Sequence, residues 1–123
     1  MNNNLTEEEQ KFLKNWISQM EAGEMAQVQD LIDNCNSTFQ FAKTHSTYVK
    51  DWEKMKSKME GNLKNGVLPP GVSAALFRAT IDATDEVIQR KLKKVRDAFQ
   101  VKFHESIYNY LGKDGKTKFL GIF

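Results

Sequence analysis

From Ala74 to Phe99, apolar or small residues recur at alternating steps of three and four: Ala74, Phe77, Ile81, Thr84, Ile88, Leu92, Val95 and Phe99. That spacing keeps one stripe of an α-helix turned towards a partner. The step lengthens to four at Phe103, Ile107 and Leu111, so the stripe drifts around the helix. Leu76, Ala79, Ala83 and Val87 widen the stripe in its first half, and from Lys91 onward its flanks are mostly charged. Pro69 and Pro70 suit a helix start, where an N–H has no intrahelical partner, and Gly112 suits an end. The pattern predicts one long helix over residues 72–111, roughly 60 Å at about 1.5 Å per residue. A helix of that length is expected to be a spine along which others lie.

Two helices are expected ahead of it. Thr6 with Glu9 makes a capping box, and Glu7, Glu8 and Glu9 favour the positive end of a helix dipole. Phe12, Leu13, Trp16, Ile17 and Met20 share a face, which predicts a first helix over 6–22, closed by Gly23. Met25, Val28, Ile32, Cys35, Phe39 and Ala42 then step by three and four, and His45, Tyr48, Trp52, Met55 and Met59 carry the seam onward. This predicts a second helix over 24–62. Thr44-His45-Ser46-Thr47 are poor helix formers whose side chains compete for backbone hydrogen bonds, so the helix either breaks at 44–47 or runs through. Asn65-Gly66 and Leu68-Pro69-Pro70-Gly71 supply the connecting loop.

The second and third helices are of similar length, as an antiparallel hairpin requires. The expected fold is therefore all-α: an up-and-down bundle of three to four helices built on a long antiparallel helical hairpin. One domain over 1–123 is expected, with 112–123 as a tail on a flexible linker.

Composition changes little in this picture. Apolar residues at 40% and charged residues at 28% are ordinary for a soluble fold. A net charge of +2 is too small to argue for a nucleic-acid or membrane partner. Its distribution is uneven: residues 1–62 carry ten acids and seven bases, and residues 63–123 six acids and eleven bases. Two halves of opposite sign are expected to pack on one another. Cys35 is the single cysteine and is read as a small buried side chain, which excludes an internal disulfide. The polar, acidic start is unlike a targeting segment, and no apolar run approaches a membrane span, so a cytoplasmic location is expected.

Candidate chemistry is sparse. Di-metal helical bundles use a Glu-x-x-His step, but Ala42 and Val101 stand three residues before His45 and His104. A Cys35–His45 pair on one helix would be about 15 Å apart, too far for proton transfer. No Gly-rich phosphate loop occurs. No catalytic residue, metal ligand or cofactor site is nominated.

Three surface features remain. Tyr48, Trp52, Met55 and Met59 form an aromatic and methionine stripe, read first as core and second as an adaptable protein-binding face. Phe119, Leu120, Ile122 and Phe123 make an apolar terminus, expected to fold back on the bundle or to seat in a partner. Arg90, Lys91, Lys93, Lys94 and Arg96 form a basic collar, read as a solvated shell or as a phosphate-backbone contact. The expected function is a non-catalytic helical protein-interaction module: an adaptor, a chaperone-like protein or a self-associating scaffold. The alternative is a small nucleic-acid-binding protein that uses the run 90–96.

Overall fold

The structure, a computed structural model, describes residues 5–118. Among them are three α-helices and a single 3-10 turn: α1 (Glu7–Asn34), α2 (Thr38–Lys64), α3 (Ala74–Phe103), then Ile107–Asn109. Leu111 and Thr117 form an isolated antiparallel bridge. The protein is an all-α, up-down-up helical bundle. Leu5 and Leu13 pack with Leu76 and Ala79 at one end, and Val28 and Leu31 pack with Val95 and Phe99 at the other. So α1 and α3 run parallel. Phe41 meets Phe99 and Glu60 meets Arg78, so α2 runs antiparallel to both.

The expected capping box is present. Thr6 Oγ1 accepts from the Glu9 backbone N–H at 3.1 Å, and Glu9 Oε1 accepts from the Thr6 N–H at 3.0 Å. The second Glu9 oxygen accepts from Ser73 Oγ at 2.7 Å, while Ser73 itself caps α3 through the Leu76 N–H. The starts of two helices are thereby tied together. These hydrogen bonds hold the Glu9 carboxyl below its ordinary range, led by the bond from the Thr6 backbone.

All three helices have boundaries that differ from those the sequence predicts. The first helix does not end at Gly23 but continues to Asn34. A mid-helix glycine costs about 1 kcal/mol, and the burial of Val28 and Leu31 beyond it outweighs that. The break falls instead at 35–37, where Ser37 caps α2 by accepting from the Gln40 N–H at 3.2 Å. The second helix therefore begins at Thr38, not 24, and it runs unbroken through 44–47. Thr44 returns its hydroxyl to the Gln40 carbonyl at 2.9 Å, and His45 and Ser46 turn inward to tertiary partners.

The long helix is shorter at both ends than 72–111. It starts after Ser73 rather than at the prolines, and it stops at His104, whose φ of 57° is left-handed. At 30 residues it is about 45 Å long. Ile107 and Leu111 continue the apolar spacing and are buried as expected, but in a chain that has turned back. They close the core at one end, around Phe41, Phe99, Phe103 and Tyr110.

The linker after 111 is likewise a defined hook rather than a flexible connection. The Gly112 N–H donates to Lys116 O at 2.8 Å and the Lys118 N–H to Tyr110 O at 3.1 Å. Its tip, Gly115, rests on α2. The expected placement of Phe119, Leu120, Ile122 and Phe123 lies outside the described residues.

Candidate functional site

The helix α3 uses two flanks. Leu76, Ala79 and Val87 face α1, whereas Ile81, Asp85, Leu92 and Phe99 face α2. Below their junction at 35–37, α1 and α2 pack on α3 and hardly touch one another. A groove of about 350 Å³ opens between them. Its walls are Glu24 and Gln27 from α1 and Tyr48, Asp51, Trp52 and Met55 from α2, and its floor is Ile88 and Lys91.

Helical spacing puts Phe12, Trp16 and Met20 on the same edge of α1 as Gln27. Phe12 is 52% exposed and stacks on Trp16 with ring centroids 6.5 Å apart. Trp16 is anchored through its indole N–H, which donates to Thr84 Oγ1 at 3.2 Å. Its outer face stays open. Across the groove Met55 is 56% exposed, and Met59, one turn further on, is half-buried. The stripe Tyr48, Trp52, Met55, Met59 is thus divided. Trp52 belongs to the core, with its indole N–H on Asp85 Oδ1 at 2.8 Å, and Met55 belongs to the surface. Burial raises the Asp85 carboxyl, but the bonds from Trp52 and Gln89 and the nearby Lys56 outweigh it and leave it below its ordinary value.

The five bases of the collar have different surroundings. Lys91 was expected to be solvated and is only 6% exposed. Its ammonium lies 2.6 Å from Glu24 Oε2, bonds Gln27 Oε1, and sits 3.4 Å from the centre of the Tyr48 ring. The groove excludes water from the lysine stem, while a carboxylate, an amide and a π-face replace its hydration shell. Arg90 pairs with Glu21 at 3.2 Å, Lys93 with Asp97 at 2.9 Å, and Lys94 is exposed. The Glu21 and Glu24 pairs join the acidic α1 to the basic second half of α3, as the uneven charge implied. Burial raises the Tyr48 phenol above its ordinary value, and Glu24 and Asp30 add to this.

Arg96 turns to the other side of α2, where a second cavity of about 210 Å³ lies under the hook. Its back wall is His45, which is 1% exposed. His45 Nδ1 is 2.9 Å from Gly115 O and Nε2 is 3.2 Å from Arg96 Nη1. A carbonyl only accepts and a guanidinium only donates, so the ring is neutral with its proton on Nδ1. Burial lowers its pKa; the Gly115 bond opposes this and Arg96 reinforces it. Both nitrogens are engaged, so neither is free to move a substrate proton.

Among the described residues no three His, Cys, Asp or Glu side chains are grouped to hold a metal, and no helix is long and apolar enough to cross a membrane. Sequence reasoning missed the His45–Arg96–Gly115 cluster. The available signal was a histidine beside a serine on an otherwise apolar seam, with an Asp-Gly turn at 114–115 to meet it. No family model matches the chain, and no curated protein or solved structure resembles it.

Proposed function

We propose that this protein is a non-catalytic interaction module whose working surface is the open face between α1 and α2. The observation that carries this is the groove itself. Exposed Met55 stands on its α2 wall, exposed Phe12 and Trp16 lie further along the α1 edge that carries Gln27, and α3 packs behind both helices. Aromatic and methionine residues are the types enriched where proteins meet, and unbranched methionines repack against varied surfaces. A helical face laid into such a groove would complete a four-helix layer.

A non-catalytic role is supported by the engagement of both His45 nitrogens and by the pairing of the groove's lysine. Nucleic-acid binding has less support, because Arg90, Lys91 and Arg96 are already committed within the chain. A cytoplasmic setting suits the free thiol of Cys35.

The test is a photo-crosslinking residue placed at Met55, at Gln27 and, as an off-face control, at Lys50. Protein adducts at Met55 and Gln27 but not at Lys50 are expected. Equal labelling at all three positions, or none at the groove, would remove the assignment.

A further inference from the structure

We infer that the partner of the open face is a second copy of this chain, related by a twofold axis parallel to the helices. This rests on the interaction reading above and adds the identity and geometry of the occupant. The argument is one of charge. Helix α1 carries seven acids against two bases, and α2 six bases against three acids. The two helices that bound one groove therefore have opposite sign, a net of −5 beside a net of +3.

Some of that charge is neutralised internally, since Glu21 and Glu24 meet Arg90 and Lys91 on α3. At the outer edges it is not. Glu8 and Asp30 share the groove edge of α1 with Phe12, and both are exposed to solvent. Lys54 and Lys58 flank Met55 on α2 and are exposed as well.

Two face-to-face arrangements keep twofold symmetry. An axis across the helices lays α1 on α1 and α2 on α2, which sets acid against acid and base against base. An axis along the helices lays each α1 antiparallel over the partner's α2. The start of α1 and the end of α2 lie at the same level of the layer, because Glu9 bonds Ser73 and Glu60 bonds Arg78 at the start of α3. The second arrangement therefore brings Glu8 and Phe12 of one copy to Met55 and Lys58 of the other. It joins the exposed apolar residues and the opposite charges in one step, and complementary charge selects register and orientation. The single acid on that wall, Asp51, lies midway along the groove rather than at the Met55–Lys58 end.

The experiment is solution mass of the full chain by sedimentation over a wide concentration range. A species of twice 14.2 kDa is expected. Phe12→Glu with Met55→Glu should raise the dissociation constant by about two orders of magnitude, as for two interface anchors. Helix content should be unchanged, since both side chains are exposed. Glu8→Lys should also weaken the dimer, and adding Lys54→Glu with Lys58→Glu should restore it.

A wild-type chain that stays monomeric overturns the inference, as does a dimer indifferent to the Phe12/Met55 pair. A dimer weakened by that pair but untouched by charge reversal overturns the geometry. A monomer whose Met55 crosslinks to a different protein overturns the second copy while leaving the interaction reading in place. Off-face labelling equal to that at the groove would remove the interaction reading itself.

Discussion

Gly115→Ala tests whether the C-terminal hook is held on α2 by close approach. Gly115 has φ of 80°, and a Cβ there would stand 2.9 Å from His45 Cε1 and 3.2 Å from Val49 Cγ2. Left-handed backbone costs a non-glycine residue about 1–2 kcal/mol. The clash adds to this, because the ring it meets is buried and pinned at both nitrogens. The alternative to accepting that strain is release of the hook. Release breaks the His45–Gly115 bond and the bond from the Thr117 N–H to Ser46 Oγ, at about 0.5–1.5 kcal/mol each. It also breaks the Lys116–Glu53 pair at 2.7 Å, which is open to solvent and adds little.

The cheaper route sets the outcome, so a loss of about 1–3 kcal/mol with the hook released is expected. Urea unfolding gives the energy, and NMR titration of His45 separates the routes. A released hook exposes the ring, and its pKa should climb towards the ordinary 6.5. Gly71→Ala is the control: its φ is 77° with nothing within 4 Å of the added methyl. It should cost only the backbone strain and leave His45 unmoved. If Gly115→Ala keeps the wild-type midpoint and the wild-type His45 titration, the close-approach argument is wrong.

Two further outcomes follow from buried titratable groups. His45 has a folded pKa below its unfolded 6.5, so the unfolded chain binds the extra proton; its contribution to stability should be full above about pH 6.5 and fall as pH drops through the folded value, with His45→Gln flattening that slope in thermal melts. Lys91→Met should cost about 1–3 kcal/mol in denaturant midpoint, less than a fully buried pair because Glu24 keeps some solvent, and adding Glu24→Gln should recover part of it; a Lys91→Met protein as stable as wild type would show that the pair does not stabilise the fold.

The fold class was legible because periodicity reports the period of the backbone, and 3.6-residue spacing is persistent here. The capping box was legible because its two hydrogen bonds are local, four residues end to end. What was not legible was decided at a distance. Gly23 reads as a stop only if the helix stands alone; packing of Val28 and Leu31 on α3 carries the helix past it. His104 ends α3 where spacing alone would continue, because Ile107 and Leu111 gain more by folding onto Phe41 and Phe99 than by extending a bare helix. Lys91 looks like one more base in a run of five. Its burial depends on Glu24 and Tyr48, which are far away in sequence and on different helices.

The same long-range effect explains the open face. The heptad-like seam Phe77, Ile81, Thr84, Ile88, Leu92, Val95 reads as one stripe turned to one partner. In the structure it is the line between two partners. Leu76 and Val87, beside it, take α1; its own Ile81 and Leu92, with Asp85, take α2. A stripe wide enough to hold two helices holds them on its flanks, and its centre line, at Ile88 and Lys91, becomes the floor of a groove. Lysine at that floor resolves a conflict. A bare apolar floor would favour collapse of α1 onto α2, whereas an ammonium bonded to both walls holds Glu24 and Tyr48 apart at fixed distances. On this account the buried Lys91 sets the width of the groove. Replacing it with methionine should change the binding face as well as the stability, and the dimer midpoint should shift together with the unfolding midpoint. A Lys91→Met chain that loses stability yet dimerises as wild type would separate the two roles and leave the groove's width to the helix backbones alone.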